Sequence, residues 1–164
     1  MELLRQRIRH DKLDYNVVNA SISGETSAGG ASRIASLLQT YRPDVVIIAL
    51  GGNDGLRGTS IATLRTQLDA MVRACIAGKS RVVLAGVELP PNYGPGYSRE
   101  FNASFTTIAH ANKIPVVPSL LEGFGDRRDL FQADGVHPVA SAQILMLDNV
   151  WRVLGAKLKS AKNS

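Results

Sequence analysis

The sequence predicts an α/β fold with a mostly parallel sheet, and two observations carry the prediction. Short β-rich runs alternate with longer helical patterns along the chain, the order expected when helices cover a sheet. The run from Val45 to Leu50, VVIIAL, is apolar at every position instead of alternating, as in a strand buried on both faces and central in its sheet. With 164 residues, 45% hydrophobic and 20% charged, the chain is sized for one domain with a single substantial core.

Each element has its own signal. Residues 1–13, MELLRQRIRHDKL, are charged throughout and hold no apolar run, so they read as the end of a helix and not as a signal peptide. YNVVNAS at 15–21 reads as a strand. The glycine-bearing turn ISGETSAGG leads into a helix with Ile34, Leu37, Leu38 and Tyr41 on one face, closed by Pro43. Beyond the Val45–Leu50 strand and GGNDG, a helix runs from Ser60 to Ala77, where Ile61, Leu64, Leu68, Met71, Val72 and Cys75 recur at helical spacing and Gly78 is the stop. RVVLAGVEL at 81–89 is the next strand, and PPNYGPG at 90–96 is a proline- and glycine-rich loop. A helix around Arg99 to Asn112 and the short strand IPVVPSL at 114–120 follow. The last helix spans Val139 to Lys159, with Pro138 in its first turn, where a missing N–H costs nothing.

Composition excludes several function classes. Lys and Arg total 19 against 14 Asp and Glu, a formal net charge of +5, but they are scattered except in the tail AKLKSAKNS. No basic stripe interleaves with aromatics, which speaks against a nucleic-acid partner and makes the tail a solvated helix end. No apolar run approaches the roughly 20 residues that span a bilayer. The single cysteine, Cys75, excludes an internal disulfide and a cysteine zinc cluster, and on the apolar face of its helix it reads as an inert core thiol. His10 and His110 show no ligand spacing, so no metal site is expected.

In open α/β sheets, ligands sit outside the carboxyl ends of the strands, and three turns fall there: SISGETS, GGND and DGVHP. In DGVHP, Asp134 can accept the Nδ1 proton of His137 and leave Nε2 as a general base; the residues fit equally a loop-capping Asp beside a surface His. In GGND the glycines permit close backbone approach and the Asn53 amide can donate to an oxyanion, though Gly and Asn also serve as ordinary turn and cap residues. In SISGETS, Gly24 can present its N–H to an oxyanion, while Thr26 or Ser27 can simply cap the next helix.

Taken in order and at their separations, NASISGETS, ALGGNDGLRG, ELPPNYG and DGVHP resemble the SGNH (GDSL-type) hydrolase superfamily, and within it the bacterial thioesterase I, lysophospholipase and arylesterase group. The match spans nearly the whole chain. It implies a three-layer α/β/α fold of flavodoxin-like type, in one domain over residues 1–164, and a serine hydrolase of acyl esters or thioesters that uses no metal or organic cofactor. By the resemblance His137 is the catalytic base, Asp134 its orienting carboxylate, and Gly24 and Asn53 are the oxyanion donors. Leu89, Pro90, Asn92 and Tyr93 belong to the loop that shapes the acyl pocket. A periplasmic or secreted protein is implied, although the residues themselves set no compartment.

In that family the nucleophilic serine sits in a GDS block at the end of the first strand, upstream of the stretch resembling VVNASISG. No GDS occurs in the 164 residues. The expectation is a chain truncated relative to the family by about 20 residues or more at average element lengths, lacking the first strand and the nucleophile and inactive alone. Such a chain is expected to self-associate through the sheet edge that the strand would cover. Ser21 and Ser23 lie beside the proposed site, but they belong to the strand end and turn that place the oxyanion donor. A second reading is a non-catalytic acyl- or ester-binding remnant of the same fold. A nucleotide-binding module is disfavoured, because GGNDG is not G-x-G-x-x-G.

Overall fold

The elements run α1 (Glu2–His10), α2 (Ser27–Tyr41), β1 (Val45–Ile48), α3 (Gly52–Leu56), α4 (Ile61–Ala77), β2 (Arg81–Ala85), α5 (Pro95–Asn112), β3 (Val116–Val117) and α6 (Gln143–Ser160). The computed structural model describes residues 1–160, so the end of the basic tail, 161–164, lies outside the described residues. The chain forms two units: Ile22–Leu120 holds the sheet, and Met1–Ser21 joins with the chain from Leu121 onward.

In Ile22–Leu120 the three strands are parallel in the order β1-β2-β3, with Val45 opposite Arg81, Ile48 opposite Leu84, and Leu84 opposite Val116. Parallel neighbours need a crossover, and α4 and α5 supply the two. Helix α4 begins where the Ser60 hydroxyl accepts the Thr63 N–H at 3.1 Å and ends at Gly78. Its face of Leu64, Leu68, Met71, Val72 and Cys75 is buried against β2, as its spacing predicts. Phe101 and Phe105 of α5 are fully buried in the same core and meet edge to face, with ring centroids 5.5 Å apart.

Several elements differ from the sequence expectation. The Val45–Leu50 run forms strand only to Ile48 and lies at the edge of the described sheet, with only Ile48 fully buried; β2 is the central strand. The apolar run predicts two covered faces, whereas Val45, Val46 and Ile47 are only partly buried and Ala49 is exposed. Residues 15–21 form no strand. A strand exists only where a neighbour completes its ladder, and here Arg5 reaches the Val17 carbonyl at 3.1 Å while the Asn19 side chain accepts the Ser21 N–H at 3.2 Å. The strand expected over 81–89 stops at Ala85; Gly86 still donates its N–H to Val117 O at 2.8 Å, but its carbonyl accepts the Leu120 N–H at 2.9 Å, where the neighbouring segment has already turned away from β3. Helix α5 starts at Pro95 instead of Arg99, since proline suits the first helical turn. On α2, Tyr41 is exposed, and Arg42 in the left-handed region ends the helix before Pro43.

In the second unit α1 buries Leu4 and Ile8. Arg7 pairs with Asp148 at 3.5 Å and lies 5.2 Å over the Trp151 ring, which ties α1 to α6. Helix α6 begins at Gln143, after a 3₁₀ turn at Ala140–Ala142, and not at Val139. Pro138 is held in an antiparallel bridge with Phe131, a pairing flanked by the bonds Gln132 N–H to His137 O (2.8 Å) and Val139 N–H to Leu130 O (2.9 Å). That position asks nothing of the missing proline N–H. No helix among the described residues is long and apolar enough to cross a membrane.

Candidate active site

The bridge at Phe131 and Pro138 pinches residues 132–137 into a tight loop, which Gly135 can turn because it adopts φ +66°. Within that loop one oxygen of Asp134 accepts the backbone N–H groups of Val136 (2.9 Å) and His137 (3.0 Å). The other oxygen lies 2.8 Å from Nδ1 of His137. One oxygen of Asp134 thus caps the loop while the other meets the imidazole ring.

Those contacts also set the charge. The backbone N–H of His137, then that of Val136, then the His137 ring stabilise the ionised carboxylate and lower its pKa from 3.8 to about 2. An ionised carboxylate only accepts hydrogen bonds, so Nδ1 must carry the proton in the pair. A neutral ring with its proton on Nδ1 carries its lone pair at Nε2, the form a general base needs. The His137 side chain is 70% exposed, so this nitrogen is reachable from solvent.

In Ile22–Leu120, Gly24 sits at φ +75° in a turn closed by the Glu25 N–H bonding to Ile22 O at 3.3 Å. Nothing lies within 4 Å of where a Cβ would stand, so the dihedral and not crowding calls for glycine. Thr26 caps α2 by accepting the Gly29 N–H at 3.3 Å. Gly51, at φ +115°, swings the chain from the strand into the short helix α3, which carries Asn53. The Asn53 side-chain amide donates to the Glu25 carbonyl at 3.0 Å, and an amide group has a second N–H to offer. The SGETS and GGND turns are thus joined side chain to backbone.

The loop that carries Leu89 and Tyr93 meets the same short helix. Leu89 packs over Gly55, where an added Cβ would stand 2.8 Å from Phe101 Cε2 and 3.0 Å from Leu89 Cδ1. Tyr93 donates its hydroxyl to Leu56 O at 3.0 Å and its backbone N–H to Pro90 O at 3.4 Å, while Asn92 is exposed. Sequence reasoning missed three side chains here. Asp54 is buried on Ser27, Arg33 holds the Glu25 carboxylate at 3.0 Å, and Tyr97 donates to Thr59 O at 2.7 Å. Burial, followed by the negative charge of Asp54 and then Tyr93, raises the Tyr97 pKa. An acid directly after the candidate oxyanion donor was the one available signal for Asp54.

Comparison with known proteins bears on most of the chain. The model of the GDSL-like Lipase/Acylhydrolase family matches residues 2–143. Esterase TesA of Pseudomonas aeruginosa is 47% identical over 152 residues, covering 93% of this chain and 76% of that protein. Thioesterase 1/protease 1/lysophospholipase L1 of Escherichia coli K12 is 36% identical over 133 residues, 81% of this chain and 64% of its own length. This chain therefore spans just under two thirds of that relative. The crystal structure of the psychrotrophic esterase EstA from Pseudoalteromonas sp., inhibited by monoethylphosphonate, matches with a TM-score of 0.89 at 37% identity, over 96% of this chain and 86% of that one. The α/β fold class read from the sequence is the class of these neighbours.

Proposed function

The chain belongs to the GDSL-like lipase/acylhydrolase family, and on that premise we propose that it hydrolyses carboxylic esters or thioesters of acyl chains by acyl transfer to a serine. His137 takes the serine proton through Nε2 as the hydroxyl attacks the acyl carbonyl. The carbonyl oxygen gathers negative charge, and the Gly24 N–H and the Asn53 amide stabilise it. His137 then protonates the leaving alcohol or thiol and activates water to release the acid. Asp134 keeps the imidazole in the productive tautomer and stabilises the imidazolium that forms in each half-reaction. Leu89, Pro90, Asn92 and Tyr93 line the acyl side.

The single observation that carries this reading is the 2.8 Å contact between His137 Nδ1 and an Asp134 carboxylate whose other oxygen is already fixed by two backbone N–H groups. A surface histidine with no task does not need its partner pinned in this way. The names of the relatives, esterase and thioesterase/lysophospholipase, support the ester and thioester classes.

The 164 residues contain no Gly-Asp-Ser block, and the proposal is that they supply base, orienting acid and oxyanion donors but not the nucleophile. A second reading is a non-catalytic acyl- or ester-binding protein of the same fold. Hydrolysis of a short p-nitrophenyl ester by the 164-residue chain, beside a version extended at its N-terminus with a Gly-Asp-Ser-bearing segment, separates the two. Turnover by the extended version alone is expected. Turnover by the 164 residues would place the nucleophile at Ser21 or Ser23, and none by either would favour the binding protein.

A further inference from the structure

The carboxylate of Asp54 takes no part in the roles above, yet it is only 2% exposed. Burying a carboxylate is costly unless hydrogen bonds replace its water. Both of its oxygens turn to one residue: Oδ2 accepts the Ser27 backbone N–H at 2.8 Å and Oδ1 accepts the Ser27 hydroxyl at 2.5 Å. Ser27 is itself fully buried and is the first residue of α2. Its N–H is among those a helix leaves without an internal partner, and a negative group at that end is favoured by the helix dipole. Asn53, the neighbour of Asp54, meanwhile grips the Glu25 carbonyl at 3.0 Å. Consecutive residues of α3 therefore hold the chain at Glu25 and Ser27, one and three residues beyond Gly24.

We propose that Asp54 is a positioning residue of the oxyanion hole, whose hold on Ser27 sets the turn that presents the Gly24 N–H in register with the Asn53 amide. The inference rests on the oxyanion roles proposed for those two residues. Chemistry selects an acid at this position: Ser27 offers two donors, and an ionised carboxylate is the side chain that only accepts. Asparagine can keep the backbone bond through its oxygen and turn its NH₂ toward the serine hydroxyl, which can accept, so it should be a partial substitute. Alanine loses both bonds.

The test has two arms. In the first, ¹⁵N spectra of the labelled 164-residue chain follow the Gly24 backbone amide and the Asn53 side-chain amide in Asp54→Ala, Asp54→Asn and Ser27→Ala. Both signals should move in Asp54→Ala, return toward the parent in Asp54→Asn, and move less in Ser27→Ala, which keeps the backbone bond and remains informative if Asp54→Ala fails to fold. In the second, the extended, serine-bearing form of each variant is assayed on the p-nitrophenyl ester. Asp54→Ala should lower kcat by about 10- to 100-fold, the scale of a small misplacement in a preorganised site, with KM little changed and most of the loss recovered in Asp54→Asn. Unmoved amide signals in a folded but less stable variant, or a loss confined to KM, would overturn the proposal. An extended parent without turnover would instead overturn the hydrolase reading, and the amide signals, which need no turnover, would still report whether the tether exists.

Discussion

Replacing Gly86 by alanine should be among the most damaging single-methyl additions to Ile22–Leu120. Gly86 is buried where the chain leaves β2, and its N–H bonds to Val117 O at 2.8 Å while its carbonyl accepts the Leu120 N–H at 2.9 Å. A Cβ there would overlap the Pro118 carbonyl oxygen and stand 3.0 Å from the Pro118 carbon and 3.2 Å from Val117 O. All three are backbone atoms, so no rotamer change relieves the clash; the two segments must part and stretch both hydrogen bonds. A buried backbone group left unpaired costs about 1–3 kcal/mol, so the pair gives a loss of about 2–6 kcal/mol. Domain stabilities are about 5–15 kcal/mol, which makes this loss a large share. Urea denaturation should show a midpoint lower by about 1 M or more, and the Gly86 and Leu120 amides should lose hydrogen-exchange protection. Gly96→Ala is the control. Gly96 lies in α5 with nothing within 4 Å of an added Cβ, so it should be neutral or stabilising by up to about 1 kcal/mol. Equal midpoints for Gly86→Ala and the parent, with exchange unchanged at both amides, would refute the close approach.

Two more predictions follow from the charge states. Burial raises the Cys75 thiol to about 11 and leaves it 0% exposed, so a disulfide reagent at pH 8 should leave it unmodified in the folded chain and react once urea is added; rapid native labelling would contradict the core placement. Asp134 is lowered from 3.8 to about 2, and for a depressed carboxylate the ionised form is the one the fold favours. Its contribution to loop order should be complete above about pH 4 and disappear as pH falls through about 2, seen as a side-chain ¹³C titration with its midpoint near the lower value. A midpoint at or above 3.8 would mean that the loop bonds are not formed in solution.

What the sequence made legible was local. Helix α4 needed only the spacing of Leu64, Leu68, Met71 and Cys75, the Ser60 cap and the Gly78 stop, and all of these lie within one stretch of chain. The Asp134–His137 pair was legible for the same reason, its two members being three positions apart. Features that depend on a distant partner were not. Residues 15–21 have strand-like composition, but pairing requires a neighbour that composition does not reveal. Val45–Leu50 shows its hydrophobicity and not its edge position. The grip of Asp54 on Ser27 spans 27 positions, and those of Tyr93 on Leu56 and Tyr97 on Thr59 span 37 and 38, so no short motif encodes them. Pro138 was misread because a helix start and the unbonded partner in a bridge both tolerate a missing N–H.

The central claim is that His137 is the base of an acyl-transfer site, and the direct measurement is ester turnover by the extended, serine-bearing form with and without His137→Ala. Losing the base of such a triad removes about 10⁴-fold or more of kcat, while circular dichroism and the urea midpoint should stay at the parent values because the ring is 70% exposed. Turnover should collapse while the protein stays folded. Activity within about tenfold of the parent would show that proton transfer runs through another group, and that the Asp134–His137 pair is a loop brace and no more.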